Sequence, residues 1–224
     1  MAAIFITATG TDIGKTFVAA GLIRHLRRNQ QIVDALKPIV TGFDAAQPQG
    51  SDPAVLLDAL ERPVTTEELA RMSPWRFKAP LAPDMAAKRE GRSVDFAAVM
   101  KHSHDAVRQH HGTLLIEGIG GIMVPLDDRH TVLDWMAALG VPVVLVAGSY
   151  LGTISHTLTC LTALRQRALS VRAVIVNETP GSTVGLGDTV ESVARFARPV
   201  PVVGLSRGDA GSDGHFQNIT KLLR

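Results

Sequence analysis

Short apolar runs rich in β-branched residues alternate along this chain with longer segments of helical periodicity. The apolar runs predict strands near residues 3–8, 32–37, 113–117, 142–147, 172–177 and 200–204. The run at 143–146 is continuously apolar, which indicates a strand that is buried on both faces. Apolar residues at helical spacing predict helices over 15–29, 94–110, 152–168 and 185–197. The alternation is typical of an α/β fold with a mostly parallel central sheet flanked by helices.

The stretch from 42 to 93 breaks this pattern. Its prolines stand at 48, 53, 63, 74, 80 and 83, and so many ring-constrained positions disfavour long regular elements. We therefore predict short helices joined by ordered loops, and we expect this insertion to shape a substrate pocket.

Composition narrows the class of protein. A length of 224 residues with 46% hydrophobic content can build a large core, and we predict one domain over 1–224. The net charge of +2 comes without any block of one sign, which disfavours nucleic acid and anionic membranes as partners. No apolar run approaches the roughly 20 residues of a membrane-spanning helix, and the N-terminus reads as a first strand and not as a signal peptide.

The single cysteine, Cys160, lies in a segment predicted to be a buried helix and cannot form an intrachain disulfide. We therefore expect a reducing, cytoplasmic environment.

Residues 4–16 read as a strand, a loop containing Gly14-Lys15-Thr16, and the start of an amphipathic helix. This is the context of a phosphate-binding loop, in which main-chain N–H groups and the helix dipole attract phosphate. Gly14 would let the backbone approach, Lys15 would place a cation between the terminal phosphates, and the Thr16 hydroxyl would ligate Mg²⁺. The alternative is a glycine turn followed by an exposed lysine.

One position departs from this pattern. Such loops normally begin with glycine, and here that position is Ala8. A positive φ at Ala8 would strain the backbone by roughly 1 kcal/mol or more. Gly10, two residues later, is the other candidate for the turn.

Three charged residues elsewhere in the chain stand at the ends of predicted elements. Glu117 ends a predicted buried strand at the edge where ligands bind in open α/β sheets, and we favour a metal ligand over a solvated carboxylate. Lys37 ends a strand at the same edge, where the alternative is a surface lysine. Asp52 precedes Pro53 and is either a helix cap or a metal ligand.

Together these pieces resemble the dethiobiotin synthase family over nearly the whole chain, to about residue 205. The segments that carry the resemblance are the loop from Ala8 to Thr16, which is one residue longer than an ordinary Walker A loop, Lys37-Pro38-Ile39-Val40-Thr41-Gly42, Ser51-Asp52, Pro80-Leu81-Ala82-Pro83 and Glu117-Gly118-Ile119-Gly120-Gly121. The resemblance implies a three-layer P-loop NTPase fold. It also implies an ATP-dependent cyclo-ligase of biotin biosynthesis.

The implied reaction converts 7,8-diaminononanoate, CO₂ and ATP to dethiobiotin, ADP and phosphate. One amine, as its carbamate, attacks the γ-phosphate to give a carbamic–phosphoric mixed anhydride, and the second amine then closes the ureido ring.

The resemblance also implies roles for individual residues. Lys15 and Lys37 would be catalytic, and Thr16, Asp52 and Glu117 would bind Mg²⁺. ATP would contact Gly10, Thr11, Asp12, Ile13, Gly14, Lys15, Thr16, Glu117 and Asn177. The diamine would contact Thr11, Lys37 and Thr41, and its carboxylate tail would reach Leu151, Gly152 and Ser155 of a second subunit, which implies a homodimer.

Two positions depart from the family. Ser155 stands where asparagine is frequent, and Glu178 stands where aspartate is usual. From the residues alone, Asn177 is equally well a turn residue at a strand end.

Other functions remain open at this point. A partition or division-site switch ATPase shares the fold, but its second lysine near the loop start is missing from positions 8–13, and no basic amphipathic helix is evident over 214–224. A cobyrinate amidotransferase would need a glutaminase domain. An inactive relative is the third alternative, with Ala8 as its only hint.

Four histidines and two tryptophans need no catalytic role. His102, His104, His110 and His111 are most simply solvated surface residues, since no cysteine lies near them. Trp75 and Trp135 are most simply core or pocket-wall residues.

Overall fold

A computed structural model describes residues 2–206 and 213–223. Its strands are β1 (Ala2–Ala8), β2 (Val33–Leu36), β3 (Ile39–Thr41), β4 (Trp75–Phe77), β5 (Thr113–Glu117), β6 (Val143–Gly148), β7 (Val171–Asn177) and β8 (Val202–Leu205). Its α-helices are α1 (Lys15–Arg28), α2 (Asp52–Ala59), α3 (Thr66–Met72), α4 (Pro83–Arg89), α5 (Phe96–Gln109), α6 (Val132–Leu139), α7 (Thr153–Gln166), α8 (Leu186–Ala197) and α9 (Asp213–Leu222).

The main sheet has six strands in the order β2-β5-β1-β6-β7-β8. Every pairing between neighbouring strands is parallel. Strand β1 lies between β5 and β6, and Ile6 is in register with Glu117. The loops that follow β1 and β5 therefore lie side by side at the carboxyl edge of the sheet, where open α/β sheets bind ligands.

The side chains of β1 point alternately into two hydrophobic cores, one on each face of this sheet. Phe5 packs into the core that contains Trp135, with ring centroids 4.8 Å apart. Ile4 and Ile6 point to the opposite face and pack with α1. Strand β6 has no solvent-exposed side-chain surface over Val143 to Val146, which confirms the prediction of burial on both faces. The α/β fold with helices on both sides of a parallel sheet is therefore confirmed.

The six predicted strands of this sheet and the four predicted helices are all present, with ends within two residues of the predictions. The region 42–93 holds short helices, as expected, but also β4, which pairs with β3 in a separate two-stranded parallel sheet. That pair was not predicted because each strand has only three residues. Helix α6 was also missed, although Thr131 and Asp134 form a capping box at its start that is visible in the sequence.

The C-terminal helix α9 overlaps the stretch 214–224, where the sequence showed no basic amphipathic helix. Its apolar residues Phe216 and Ile219, with Leu223 just beyond it, are buried in the core against α1. The ring of Phe216 lies directly over Gly21, where a Cβ atom would come within 2.0 Å of it. The helix was missed because its apolar residues are few, and its apolar face is already covered by α1.

Individual residues behave as expected in the core. Cys160 is buried in α7, and Trp135 is fully buried with its indole N–H donating to the Ser103 hydroxyl at 3.1 Å. Over the described ranges, no helix is both long enough and apolar enough to cross a membrane.

Candidate functional site

The phosphate loop joins β1 to α1. Gly14 precedes the helix with φ of 95°, a left-handed conformation that glycine adopts without strain. A Cβ atom at Gly14 would lie 2.1 Å from the side-chain nitrogen of Asn177. No side chain caps this end of α1, and no acidic residue lies in its first turn. The first N–H groups of the helix are therefore open to an anion.

Ala8 is not strained. It lies in β1, paired with Val146 and fully buried, and its φ is not positive, so the strain that a left-handed Ala8 would bring does not arise. The left-handed residues of the loop are Asp12, with φ of 57°, and Gly14, and Gly10 is not among them. The chain turns later than the motif suggested, because β1 continues in the sheet through Ala8.

Lys15 is the first residue of α1 and is 7% exposed. Its ammonium donates to the carbonyl oxygens of Gly10 at 3.2 Å and Gly120 at 3.0 Å. Burial, with a further contribution from the neighbouring charge of Lys37, lowers the pKa of Lys15 to about 8. An ammonium so placed lacks a carboxylate partner in direct contact, and an incoming phosphate would supply the missing negative charge.

Glu117 and Lys37 form a buried ion pair. The Lys37 ammonium lies 2.7 Å from Glu117 Oε1 and also donates to the carbonyl oxygen of Gly118 at 2.8 Å. Lys37 is 2% exposed and Glu117 is 1% exposed, so the alternatives of a surface lysine and a solvated carboxylate are both wrong. The Thr16 hydroxyl donates to the same oxygen, Oε1, at 2.7 Å.

Burial by itself would lower the pKa of Lys37. The nearby carboxylates of Glu117 and Asp52 outweigh that effect, so the pKa of Lys37 is raised above its ordinary value. Lys37 is therefore a fully charged ammonium at neutral pH, and its charge is matched by carboxylates.

Asp52 is the first residue of α2, and its side chain does not cap that helix. The capping residue by position is Ser51. The Asp52 carboxylate instead lies 3.3 Å from the Lys37 ammonium and is 48% exposed. The alternative that Asp52 caps the helix is therefore wrong, and its carboxylate faces the Lys37 ammonium instead.

The predicted magnesium ligands lie together around the Lys37 ammonium. The second carboxylate oxygen of Glu117, Oε2, is buried without a hydrogen-bond partner. A buried carboxylate oxygen without a donor is an unusual feature that a cation would satisfy. Hydroxyl and carboxylate oxygens are also the ligands that Mg²⁺ prefers. The side chains of Thr16, Asp52 and Glu117 therefore fit a magnesium ion in chemistry and in grouping.

A cavity of 630 Å³ opens beside these groups. Thr11 and Thr41, the predicted diamine contacts, lie on its lining together with Lys15 and Lys37. The predicted substrate-pocket loop, Pro80 to Pro83, forms another part of its wall. Its apolar lining also includes residues that were not predicted, namely Val40, Ile119 and Val124.

A second cavity of 360 Å³ is also lined by Gly14. Asn177, 9% exposed, lines it at the end of β7 and donates from Nδ2 to the carbonyl oxygen of Ile13 at 3.0 Å. The amide oxygen of Asn177 has no hydrogen-bond partner. Asn177 is therefore more than a turn residue, because it ties β7 to the phosphate loop. The other walls of this cavity that sequence reasoning missed are Phe17, Thr179 and Pro180.

The predicted contacts for the substrate tail lie outside both cavities. Leu151, Gly152 and Ser155 are at the start of α7, and all three are exposed. Leu151 has 85% of its surface exposed. No side chain caps this end of α7, and no acidic residue lies in its first turn. The three residues are thus accessible from outside the chain, and they do not complete the cavity formed by their own subunit.

The histidines do not form a metal site. In the part of the chain that the structure describes, no group of three or more His, Cys, Asp or Glu residues could hold a metal ion. His102 packs edge-on against Trp75 with ring centroids 5.8 Å apart and is half-buried, so the expectation that it is solvated is wrong. His111 is exposed as expected.

Comparison with known families and curated proteins supports the interpretation of the loop. A family model described as an AAA domain matches residues 2–205. The chain is 47% identical over 205 residues to the ATP-dependent dethiobiotin synthetase of Acidiphilium cryptum, covering 90% of this chain and 92% of that protein. It is 47% identical over 213 residues to the enzyme of the same name from Methylobacterium nodulans, covering 93% and 94%.

Solved structures with a similar fold are much more distant in sequence. The septum site-determining protein MinD of Pyrococcus horikoshii, complexed with Mg-ADP, aligns with a TM-score of 0.59 at 16% identity, covering 99% of this chain and 94% of that chain. A MinC:MinD cell division complex from Aquifex aeolicus aligns with a TM-score of 0.55 at 13% identity, covering 90% and 79%. At such identities these structures support the fold alone.

Proposed function

This chain belongs to the family of ATP-dependent dethiobiotin synthetases, and from that membership we propose that it closes the ureido ring of dethiobiotin in biotin biosynthesis. The substrates are ATP, 7,8-diaminononanoate and CO₂. The observation that carries the proposal is a single cavity that joins the phosphate loop, with Lys15, to the Lys37 ammonium and the wall from Pro80 to Pro83. A site of this kind places a nucleotide phosphate beside a second substrate.

The chemical difficulty is charge, because an anionic carbamate must approach an anionic γ-phosphate. Two ammonium groups, Lys15 and Lys37, line the cavity where these anions would meet. Lys15 would bind the β- and γ-phosphates, and Lys37 would bridge the carbamate and the γ-phosphate. Positive groups fixed in advance stabilise the charge that spreads over the transferring phosphoryl group.

The two steps then proceed as follows. The carbamate oxygen attacks the γ-phosphorus and ADP leaves, which yields a carbamic–phosphoric mixed anhydride. The second amine attacks the carbonyl carbon of the anhydride, loses a proton and expels phosphate. Thr11 and Thr41 are placed on the cavity lining to bond the carbamate and amine ends of the diamine.

We propose Thr16, Asp52 and Glu117 as the magnesium ligands. Magnesium bound there would neutralise part of the charge on the β- and γ-phosphates. The partnerless oxygen of Glu117 and the half-exposed carboxylate of Asp52 support this assignment.

For the other half of the nucleotide, we propose that the base occupies the cavity beside Asn177. The amide oxygen of Asn177 is unpartnered there, and Phe17 supplies an apolar wall. Gly14 lines both cavities, so a nucleotide that crosses the phosphate loop would place its phosphates on one side and its base on the other.

We further propose a cytoplasmic homodimer in which the tail carboxylate of the diamine binds the start of α7 in the partner subunit. The uncapped helix end at Gly152 supplies N–H groups for an anion. Exposed Leu151 and Ser155 flank this end, and Ser155 is shorter than the asparagine that the family often carries.

The switch-ATPase function has no support beyond the fold. The distant likeness to cell-division proteins carries no substrate information. Helix α9 is packed on α1 through Phe216 and Ile219, so its apolar face is not available to a membrane.

The test of the proposed function is product formation from the three substrates. Incubation with the diamine, bicarbonate and MgATP should release phosphate and form a cyclic urea, which mass spectrometry would detect. Phosphate release that does not depend on the diamine would eliminate the synthetase function while sparing an ATPase activity.

A further inference from the structure

One carboxylate oxygen at the site receives two donors while its twin receives none. Glu117 Oε1 accepts from the Thr16 hydroxyl and from the Lys37 ammonium, both at 2.7 Å. Glu117 Oε2 is buried without a partner. The ammonium of Lys37 is therefore the group that neutralises Glu117 when no other cation is bound.

The same ammonium also contacts the other carboxylate of the site. Lys37 Nζ lies 3.3 Å from Asp52 Oδ2 and is fixed from a third side by the carbonyl oxygen of Gly118 at 2.8 Å. The point where Glu117 and Asp52 converge is therefore already occupied by a positive charge.

A metal ion bound by these carboxylates would compete with that ammonium. Magnesium lies about 2.0–2.1 Å from its oxygen ligands, well inside the distances at which Lys37 now contacts the same carboxylates. A divalent ion and an ammonium sharing one buried oxygen repel strongly, because the surrounding protein screens them poorly. Lys15 adds a second ammonium to the same region and has no negative partner in direct contact.

We propose that the Lys37 ammonium occupies the metal position in the nucleotide-free protein, so that the divalent ion binds tightly only together with nucleotide. The inference rests on the proposed function only in taking Thr16, Asp52 and Glu117 as the metal ligands. Nucleotide phosphates provide a new anionic partner for Lys37, and the ammonium can then leave Glu117 and Asp52 to the metal. Lys37 thus moves onto the phosphates in the same event that loads the metal, and it is positioned for the carbamate only when both are present.

The measurement is the affinity for Mn²⁺ in the absence of nucleotide, read from the electron paramagnetic resonance signal of free Mn²⁺. The wild-type protein should bind Mn²⁺ weakly when no nucleotide is present. Lys37→Met keeps the unbranched side chain up to the position of Cε and removes the ammonium, and it should bind Mn²⁺ tighter by roughly tenfold or more because an uncompensated carboxylate is exposed to the metal. Lys37→Arg retains the charge and should stay close to wild type.

A second variant separates this effect from a general loss of positive charge. Lys15→Met removes an ammonium whose contacts are carbonyl oxygens, so it should tighten Mn²⁺ binding much less than Lys37→Met does. Equal tightening in the two variants, or no tightening in a folded Lys37→Met protein, would overturn the proposal.

Crystals of the wild-type protein give a test that needs no variant. After soaking in MnCl₂ alone, an anomalous difference map should show no peak between Asp52 and Glu117, and a peak should appear when ADP is added. A manganese peak at that point without nucleotide would refute the proposal even if every variant failed to fold. None of these measurements uses the diamine, so failure of the proposed reaction would be seen separately, as the absence of diamine-dependent phosphate release.

Discussion

The side-chain amide of Asn177 holds the phosphate loop by donating a hydrogen bond of 3.0 Å to the carbonyl oxygen of Ile13. The bond connects two neighbourhoods far apart in the sequence, the end of β7 and the turn before α1. Asn177 and Ile13 both line the second cavity, so the shape of the loop and the shape of that cavity depend on the same side chain.

Removal of this bond should loosen the nucleotide site. Asn177→Ala loses one partly buried hydrogen bond, worth about 1 kcal/mol, and should weaken ADP binding by roughly fivefold to tenfold. Asn177→Asp should be worse, because its carboxylate cannot donate a hydrogen bond and would face the carbonyl oxygen of Ile13. Calorimetric titration with ADP measures both, and Asn218→Ala, at an exposed position of α9, is the matched control. Unchanged ADP affinity in Asn177→Asp would contradict the role of Asn177 in holding the phosphate loop.

A side chain at Gly14 should disrupt the same contact. The residue has a φ of 95°, and a Cβ atom would lie 2.1 Å from the Asn177 amide nitrogen. Gly14→Ala should therefore lower the free energy of unfolding by about 1–3 kcal/mol and abolish tight ADP binding. Gly187→Ala is the control, since its Cβ would enter open space in α8 and should be neutral or slightly stabilising. Urea unfolding distinguishes the two, and equal stability would disprove the strain argument.

Nucleotide affinity should fall at alkaline pH because of Lys15. The pKa of this buried lysine is lowered to about 8 in the free protein, and bound phosphates must raise it by stabilising the ammonium. Affinity should thus be constant below pH 8 and fall by roughly tenfold per pH unit above it, until the pKa of the bound form is reached. The terminal phosphate, whose last pKa is about 6, does not titrate above pH 8.

Calorimetry of ADP binding at several alkaline pH values measures this dependence. Binding should also take up protons near pH 8.5, which appears as a dependence of the heat on the ionisation enthalpy of the buffer. A flat affinity profile from pH 7 to 10 would contradict the lowered pKa of Lys15.

Cys160 should be almost unreactive in the folded protein. It is 8% exposed in α7, and burial raises the pKa of its thiol to about 11. Iodoacetamide reacts with the thiolate, so alkylation of the native protein at pH 8 should be slower than in denaturing urea by roughly a hundredfold or more. The chain has one cysteine, so a single mass adduct reports the result. Fast labelling of the native protein would show that α7 is not packed as described.

A shared site between subunits predicts complementation. Ser155→Asp should leave the fold intact, since an acid suits the start of a helix, but it should repel the substrate carboxylate and raise the KM for the diamine without changing ADP affinity. When Ser155→Asp chains are mixed at random with inactive Lys15→Ala chains, about half of the dimers contain one chain of each kind, and each such dimer has one intact site. At low diamine concentration the mixture should therefore show about a quarter of wild-type activity. Mixing Lys15→Ala with Lys37→Met is the control and should restore nothing.

Some residues of the site were accessible to sequence reasoning because their signal is local. Lys15 and Thr16 follow a strand and a glycine within one short segment, and Glu117 ends an apolar run. The parallel sheet could be inferred as well, since buried parallel strands leave continuous apolar runs such as Val143 to Val146. The order of its strands could not. The contacts of Lys37 could not be inferred, because its burial depends on Glu117 and Asp52 meeting in space.

Other features were missed for related physical reasons. The backbone of the phosphate loop turns at Asp12 and not near Ala8, which only the pairing of β1 with β6 determines. Cavity walls such as Val40, Phe17 and Pro180 come from separate segments and have no shared pattern. The two-stranded sheet of β3 and β4 was missed because three residues are too few for a periodic signal.

That small sheet has a consequence for how the pocket can diversify. Thr41 ends β3, and the wall from Pro80 to Pro83 follows β4, outside the hydrogen-bonded ladder of the six-stranded sheet. Lys15 begins α1, by contrast, and Glu117 ends β5, a strand of the six-stranded sheet. The half of the cavity opposite the phosphates can therefore be redesigned to accept longer or branched diamines while the phosphoryl-transfer end keeps its geometry.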